Sequence, residues 1–340
     1  MYYEAAEKLH ALVQDRGGFV NAHMHLDLAY SLDLPEIGAR LRSYVSGDAA
    51  RAGELPLPVK IAELDLLLRE SPEHLDTVGD RITRAITELQ EQGGRAARTC
   101  ITVGTELAPS PLEQAARIRD ELAPGFVLQI TALPLRSLGE PTEFKHFAAL
   151  CGSPLIDVIG ALPQNAAEDA HSYFERIFLL ANETGKPVEA HADEYLRNDE
   201  RETEALARAA LRAREHGYRQ PVSAVHCVTL AAHPRDYRLE IARLLAEAEV
   251  GVVICPRAAL SMKAIDEPTF MHNAIAPLRE LIAEGVTVAL GTDNIRDIFT
   301  PLSGGRMMEE IEFLAEATRI FDFDLLASIA TANGARLLGL

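Results

Sequence analysis

The chain has 340 residues, of which 48% are hydrophobic and 25% are charged, the composition of a globular protein with a sizeable core. Its formal net charge of −18 disfavours nucleic acid and membrane surfaces as partners, because an acidic surface repels phosphate groups. The sequence shows neither a signal-peptide core nor an apolar span of membrane length, so we expect a cytoplasmic protein. The cysteines are few and widely spaced, which indicates reduced thiols; they are Cys100, Cys151, Cys227 and Cys255.

Short apolar runs rich in β-forming residues alternate with longer amphipathic stretches along the chain. The runs predict strands at 18–22, 96–103, 126–132, 157–161, 188–191, 222–226, 251–255 and 286–291. The amphipathic stretches predict helices, among them 170–184, 200–216, 237–249 and 274–284, and one that begins with Ser110 as N-cap, Pro111 at N1 and Glu113 at N3. Eight strands separated by helices indicate parallel βαβ units. The number favours a single (β/α)8 TIM-type barrel of the α/β class over a doubly wound sheet.

We expect one domain over residues 1–340, because no low-complexity or linker-like segment divides the chain. One long irregular region, 31–58, follows the first strand and is rich in proline and glycine. A segment of this kind is typical of an active-site lid or specificity loop, and it is equally compatible with a surface insertion without a role.

Histidine and aspartate fall at several predicted strand ends, the edge where parallel barrels carry their functional groups. His23 and His25 are two residues apart, so on a strand both side chains point to the same face and can share one metal ion. His191, His226 and Asp293 follow at the ends of strands 5, 6 and 8. Each of these residues alone is weak evidence, but their joint order along one barrel predicts a metal site.

The remaining histidines fall on predicted helices or loops, and we interpret them as surface or packing residues. They are His10, His74, His146, His171, His216, His233 and His272.

This pattern resembles the amidohydrolase superfamily, and most closely its cytosine deaminase branch, from about Gly18 to Leu340. The stretches that carry the resemblance are Arg98-Thr99, Val158-Ile159-Gly160-Ala161-Leu162-Pro163, His191-x-Asp193-Glu194, Gly291-x-Asp293, Thr300-Pro301-Leu302 and Ala332-Asn333-Gly334-Ala335-Arg336-Leu337-Leu338. The resemblance implies a (β/α)8 barrel and a metal-dependent aminohydrolase that releases ammonia from a small amino-substituted nitrogen heterocycle through metal-activated hydroxide.

The resemblance also implies roles for individual residues. One divalent metal ion would be held by His23, His25, His191 and Asp293. We expect zinc, with iron as the alternative. Imidazole and carboxylate ligands suit both metals and do not by themselves choose between them. Asp293 would also accept a proton from water, and His226 would hydrogen-bond the water or the developing oxyanion. Glu194 would protonate the ring nitrogen and then the departing ammonia, as a general acid and base.

Two-metal members of the superfamily use a carbamylated lysine on strand 3 or strand 4. The corresponding stretches here, 126–132 and 157–161, contain no lysine, which predicts a mononuclear centre. Relatives in the cytosine deaminase branch also carry a small β-sandwich made from both chain ends. This chain starts just before strand 1 and stops after the last helix, so we expect a barrel without that sandwich.

The substrate-binding residues depart from the branch pattern. Where cytosine deaminase has a glutamine after strand 3, this chain has Leu135, and Gln164 after strand 4 could supply an amide instead or face solvent. Arg257 after strand 7 could bind a substrate oxygen or pair with a surface acid. Asn294 beside Asp293 completes the predicted substrate-binding set.

Other functions remain open at this point. The same mononuclear site could release an alkylamine from a triazine ring or open a cyclic amide, although the missing lysine argues against ring opening. A metal-binding barrel used for storage or regulation would have no need of Glu194 beside the ligands. We expect a small heterocyclic substrate as the partner, and the sequence leaves open whether the protein forms a homo-oligomer.

Overall fold

The computed structural model describes residues 2–45, 49–55, 57–166, 168–197, 199–261 and 275–340. Within these residues, eight parallel strands form one sheet in sequence order. They are β1 (Phe19–His25), β2 (Gly94–Val103), β3 (Val127–Pro134), β4 (Val158–Ala161), β5 (Val188–Ala192), β6 (Val222–His226), β7 (Val250–Ile254) and β8 (Val288–Leu290). The predicted (β/α)8 barrel is confirmed.

Helices alternate with the strands and cover the outside of the barrel. They are α1 (Tyr2–Asp15), α2 (Pro35–Leu41), α3 (Leu57–Glu70), α4 (Pro72–Glu91), α5 (Ser110–Leu122), α6 (Pro141–Cys151), α7 (Ala170–Thr184), α8 (Glu202–Glu215), α9 (Arg235–Glu247), α10 (Pro256–Ser261), α11 (Leu278–Ala283), α12 (Met307–Thr318), α13 (Phe323–Ala330) and α14 (Ala332–Leu338). Short 3-10 turns span Ser31–Asp33, Ala49–Glu54, Pro163–Asn165 and Thr229–Ala232. Among the residues that the structure covers, no helix combines the length and the apolar character needed to cross a bilayer.

The barrel closes where the last strand meets the first. Met24 and Asp293 form a parallel bridge, and the backbone N–H of Asp293 donates to the carbonyl oxygen of His23 at 3.1 Å. Asn21 and Thr292 reinforce this junction with two hydrogen bonds, Asn21 Nδ2 to Thr292 Oγ1 at 2.8 Å and Thr292 N–H to Asn21 Oδ1 at 3.1 Å. The junction places residues separated by most of the chain next to one another.

A buried arginine ties the opposite end of the barrel together. The guanidinium of Arg98 in β2 donates to Gln129 Oε1 at 2.9 Å, to Ser223 Oγ at 3.2 Å and to the carbonyl oxygen of Leu337 at 2.8 Å. A buried cation is tolerated where its donors are satisfied. Arg98 therefore joins three strands to α14 and serves the structure of the barrel base.

Residues 31–58 are more regular than the sequence predicts. The described part contains two 3-10 turns and α2, and α3 begins at Leu57. Its apolar side chains form a second buried cluster with α3 and the barrel mouth, comprising Leu28, Leu34, Ile37, Leu41, Val45, Ala52, Leu55, Leu64, Leu67, Leu68, Leu135 and Ile298. Residues 46–48 and 56 lie outside the described residues, and a lid role for this segment stays a prediction.

Two helix predictions need adjustment. Pro109 already has helical backbone angles (φ −72°, ψ −17°), so α5 starts at Ser110 and the predicted serine cap is wrong by one residue. The turn is closed by the Glu113 N–H, which donates to the carbonyl oxygen of Pro109 at 3.0 Å. The predicted helix 274–284 is seen as α11, Leu278–Ala283; residue 274 and His272 lie outside the described residues.

Candidate metal centre

The predicted metal ligands meet at the C-terminal mouth of the barrel. His23 and His25 lie at the end of β1, His191 lies in β5, and Asp293 follows β8. All four are buried, with at most 8% of any residue exposed. The strand prediction of 18–22 was short here, because β1 continues through the H-x-H motif and thereby aims both imidazoles into the mouth.

The distances between the ligand atoms test whether a metal ion fits. The Nε2 atoms of His25 and His191 are 3.3 Å apart. Asp293 Oδ1 lies 3.4 Å from His25 Nε2 and 3.5 Å from His23 Nε2. Four ligands at about 2.1 Å around one ion are about 3.4 Å apart in a tetrahedron. These three separations are those expected between ligands of a single divalent ion.

The protonation states of His25, His191 and Asp293 also suit metal binding. Burial lowers the pKa of His25 and lowers that of His191 further, so both imidazoles are neutral and offer a lone pair. Burial alone would raise the pKa of Asp293, but the contact with His23 and the nearby imidazoles of His226 and His25 outweigh it and hold that pKa well below its ordinary value. Asp293 Oδ1 and His23 Nε2 are buried and have no hydrogen-bond partner among the described residues, as expected of atoms that coordinate a metal ion.

Two further predicted residues, Glu194 and His226, border the ligand cluster. His226 Nε2 lies 3.7 Å from Glu194 Oε1 and 3.9 Å from Asp293 Oδ2, and neither imidazole nitrogen has a hydrogen-bond partner in the described part of the chain. Burial lowers the pKa of His226 to about 4. Burial, with the charges of Asp293 and Glu200, raises the pKa of Glu194 to about 8. At neutral pH Glu194 thus carries a proton that it can donate.

A cavity opens above this cluster and combines apolar walls with a few polar groups. Its floor is formed by His25, His191, Glu194 and Asp293. Its walls are formed by Leu28, Ile61, Leu64, Thr102, Leu133, Leu135, Leu162, Asn165, Tyr195, Ala258, Asn294, Phe299 and Thr300. The candidate metal site therefore lies at the bottom of a mainly apolar chamber, the usual character of a small-molecule site.

Two of the four predicted substrate-binding residues line this cavity. Leu135 and Asn294 do so, and both are buried at 7% exposure. The Asn294 side chain donates through Nδ2 to the carboxylate of Asp297, which fixes its orientation.

The other two predicted substrate-binding residues do not contribute to the cavity wall. Gln164 lies in the 3-10 turn Pro163–Asn165, and its amide atoms are buried without a hydrogen-bond partner among the described residues, away from both solvent and cavity lining. Asn165 occupies the wall instead: it accepts a hydrogen bond from the Tyr195 hydroxyl at 2.9 Å and donates to the Leu135 carbonyl oxygen at 3.3 Å.

Arg257 is directed away from the cavity. It is the second residue of α10 and bonds through Nε to Glu310 at 3.1 Å and through Nη2 to Glu309 at 3.0 Å, both on α12. These carboxylates occupy the guanidinium group of Arg257. Of the two alternatives that the sequence left open, the structure therefore contains the ion pair with acidic side chains and gives no geometric support to substrate binding by Arg257.

The structure also brings in Glu189, which was not predicted from the sequence. Glu189, buried in β5, places Oε1 3.2 Å from His23 Nδ1. It lies two residues before His191 on the same strand face, and a charged residue inside an apolar strand is the signal that could have revealed it. Asp193 has a structural role: its Oδ1 accepts from the N–H groups of Glu202 and Thr203 at the start of α8.

Comparison with known proteins agrees with this architecture. A profile of the amidohydrolase family matches residues 17–340. The chain belongs to the amidohydrolase family. Members of this family use a divalent metal ion, and the cluster described above contains groups that could hold one. The family predicted from the sequence is confirmed.

Individual relatives of this amidohydrolase include deaminases. It is 29% identical over 346 residues to a 5-methylthioadenosine/S-adenosylhomocysteine deaminase from Haloarcula marismortui, covering 95% of this chain and 68% of that one. It is 22% identical over 329 residues to an N-isopropylammelide isopropyl amidohydrolase from a Pseudomonas strain, covering 95% and 74%. The structure of 5-methylcytosine deaminase from Klebsiella pneumoniae superposes with a TM-score of 0.81 at 22% identity, over 95% of this chain and 74% of that one, which supports the predicted branch at the level of fold.

Proposed function

We propose that this amidohydrolase is a metal-dependent deaminase that releases ammonia from a small amino-substituted nitrogen heterocycle. The observation that carries the proposal is Glu194, a carboxyl group on the cavity floor beside the ligand cluster, with a side chain that is 14% exposed and a pKa raised to about 8. A proton donor beside a metal centre is what the departure of an amino group requires. Metal storage would not require it.

The residues proposed to hold the metal ion are His23, His25, His191 and Asp293. We propose zinc, with iron as the alternative, since both metals accept a mixed set of imidazole and carboxylate ligands. When bound, such an ion would lower the pKa of a coordinated water to about 7.

The side chains around the cluster have separate proposed tasks in the reaction. Water adds to the ring carbon that bears the amino group, and Asp293 accepts a proton from it. Glu194 donates its proton to the adjacent ring nitrogen, and His226, 3.9 Å from Asp293 Oδ2, would hydrogen-bond the developing oxyanion. Glu194, now a carboxylate, takes the remaining proton of the added hydroxyl group and delivers it to the amino group. The carbon–nitrogen bond then breaks, ammonia leaves and the ring retains a carbonyl oxygen, and the proton held by Asp293 restores Glu194 for the next turnover.

The cavity walls support a flat, small substrate. Leucine and phenylalanine side chains such as Leu133, Leu162 and Phe299 can cover the faces of a ring, and Asn165 and Asn294 add polar groups to the same wall. Because Leu135 stands where cytosine deaminase has glutamine, cytosine itself is not the proposed substrate.

A second candidate reaction is release of an alkylamine in place of ammonia. It is favoured by the likeness to N-isopropylammelide isopropyl amidohydrolase over 95% of this chain. The leaving group is the only chemical difference, so analysis of the released amine separates the two reactions.

The deciding experiment measures ammonia and alkylamine release from a panel of amino-substituted pyrimidines, triazines, purines, pterins and cyclic guanidines. We expect the metal-loaded protein to release ammonia from at least one ring class, and E194Q to keep its metal but lose about 10²–10⁴-fold in turnover. E310Q, which changes a buried carboxylate bonded to Arg257, is the matched control and should retain activity.

The outcomes of this assay lead to different conclusions. Alkylamine release that depends on Glu194 would establish the second candidate. Full activity in E194Q would remove Glu194 from the mechanism. A metal-loaded protein that is inert toward the whole panel would contradict deamination and redirect the search to cyclic amides.

A further inference from the structure

We infer that Glu189 is a positioning residue for the metal centre, which holds His23 in the one orientation and tautomer that can bind the ion. The inference rests on the proposed metal site and assigns a role to a residue outside the ligand and proton-transfer sets. Glu189 lies one layer deeper in the barrel than His191, on the same face of β5, and has no exposed surface.

The contact with His23 is made at the nitrogen away from the ligand cluster. Glu189 Oε1 lies 3.2 Å from His23 Nδ1, whereas His23 Nε2 faces Asp293 Oδ1 at 3.5 Å. A carboxylate only accepts hydrogen bonds, so it assigns the imidazole proton to Nδ1. The lone pair of Nε2 is then directed toward the ion, and the ring cannot rotate without losing the Glu189 contact.

The other oxygen of Glu189 is fixed by two strands. Thr131 Oγ1 in β3 donates to Oε2 at 2.6 Å, and Cys100 Sγ in β2 donates to the same oxygen at 3.7 Å. Donors from β1, β2 and β3 therefore converge on one carboxylate in β5, at a place where burying an unpaired charge would be strongly unfavourable. This network locks the rotamer of Glu189 before any ion arrives.

The same geometry settles the part played by Cys100. Its thiol is near enough to His23, His25 and His191 to be considered a fourth ligand. However, Sγ lies 4.0 Å from His23 Nδ1, the nitrogen that faces Glu189, and it donates to Glu189. We therefore place Cys100 in the hydrogen-bond network behind His23, not in the ligand set.

The test compares E189Q, C100S and the control E310Q, a substitution at another buried carboxylate. Zn²⁺ affinity is measured by competition with a chromophoric chelator, and thermal unfolding of the metal-free proteins is measured in parallel. We expect E189Q to bind Zn²⁺ about 10- to 100-fold more weakly than wild type, because an amide lacks the charge and cannot accept from every donor at once. We expect E310Q to bind Zn²⁺ within about 2-fold of wild type even if it unfolds at a lower temperature.

Cobalt substitution provides the second readout. We expect Co²⁺-loaded wild type and C100S to show the same visible spectrum, without a thiolate-to-metal band. E189Q that binds Zn²⁺ as tightly as wild type would overturn the role of Glu189. A thiolate band in wild type that C100S loses would overturn the placement of Cys100. A wild-type protein that binds Zn²⁺ but deaminates nothing would contradict the proposed function alone, whereas failure to bind any metal would overturn both.

Discussion

Identical residue types acquire different tasks in this protein through their neighbours. His25 and His191 are buried with their Nε2 atoms 3.3 Å apart and face a carboxylate, whereas the equally buried His74 lies 3.0 Å from the guanidinium of Arg81. Position at a strand end is readable from the pattern of apolar runs, and it is the reason why His25 and His191, but not His74, were predicted to bind the metal ion.

The choice between adjacent residues could not be made from the sequence. The 3-10 turn Pro163–Asn165 after β4 rotates each successive side chain by about 120°. That rotation presents Asn165 to the cavity and withdraws Gln164. The role of Arg257 likewise could not be read from the sequence, because it depends on which acidic side chains of α12 lie near it. That contact joins segments more than fifty residues apart in the chain.

The proposed ligand set makes a prediction for single residues. H191A removes one of the four proposed donors, and each lost protein ligand weakens zinc binding. We therefore expect the bound zinc to fall from about one ion per chain to a small fraction of that. Metal content after dialysis, measured by mass spectrometry of the ions, checks this. H171A changes a histidine on the outer helix α7 and should retain its zinc; equal retention in H191A would refute the ligand assignment.

At the scale of elements, the strand pattern predicted the barrel and the functional edge, with ends displaced by a few residues. The predicted first and last residues of β6 match the structure, whereas β1 continues beyond its predicted end at residue 22 to His25. The helical content of 31–58 was not predicted, because α2 is short and is stabilised by packing on α3 and the barrel mouth, not by its own periodicity.

Helix α4 carries a pH-sensitive contact outside the candidate metal site. Ser71 caps the helix by accepting from the His74 N–H at 3.2 Å, and Arg81 reaches from the helix to the carbonyl oxygens of Asp27 and Ala29 after β1. Burial and the charge of Arg81 lower the pKa of His74 to about 3. The helix thus anchors the loop that follows the first two ligands, and this anchoring requires a neutral His74.

This contact predicts how stability depends on pH. Between pH 6.5 and about 3, the unfolded chain binds a proton at His74 that the folded protein refuses, so the free energy of unfolding falls as the pH is lowered, by up to about 1.4 kcal/mol per pH unit. H74Q lacks this group, so its loss of stability below pH 6.5 should be shallower than that of wild type. Urea unfolding of both metal-free proteins from pH 4.5 to 8 measures the difference, and parallel curves would show that His74 does not titrate between the two states.

At the scale of the whole molecule, the candidate metal site depends on closure of the barrel. Its ligands come from the first, fifth and last strands, and the β8–β1 junction is held by Met24, Asp293 and the Asn21–Thr292 pair. Gly291 has no room for a side chain there, because a Cβ would lie 2.7 Å from the His23 carbonyl oxygen. The junction sets the distance between Asp293 and the histidines.

We therefore predict that N21A weakens both the fold and the metal site. It leaves the Thr292 N–H and hydroxyl unpaired in the interior, which should lower the free energy of unfolding by about 1–3 kcal/mol. It should also weaken Zn²⁺ binding, since Asp293 is the next residue. N333A, which removes a single hydrogen bond from α14 to the Val288 carbonyl oxygen, is the control and should lose stability without losing Zn²⁺ affinity. Unchanged Zn²⁺ affinity in N21A would show that the Asn21–Thr292 pair at the β8–β1 junction does not position the metal ligands.

All four cysteines are buried as free thiols, distributed over β2, α6, and the ends of β6 and β7. Burial raises the pKa of the Cys100 and Cys151 thiols to about 12, so the reactive thiolate is scarce in the folded protein. A thiol reagent can therefore modify them only when the surrounding strands or helices open. The rates at which the individual cysteines are labelled would report local opening at four places around the barrel without any introduced probe, and slower labelling of Cys100 and Cys255 on addition of Zn²⁺ would show that the ion holds the mouth closed.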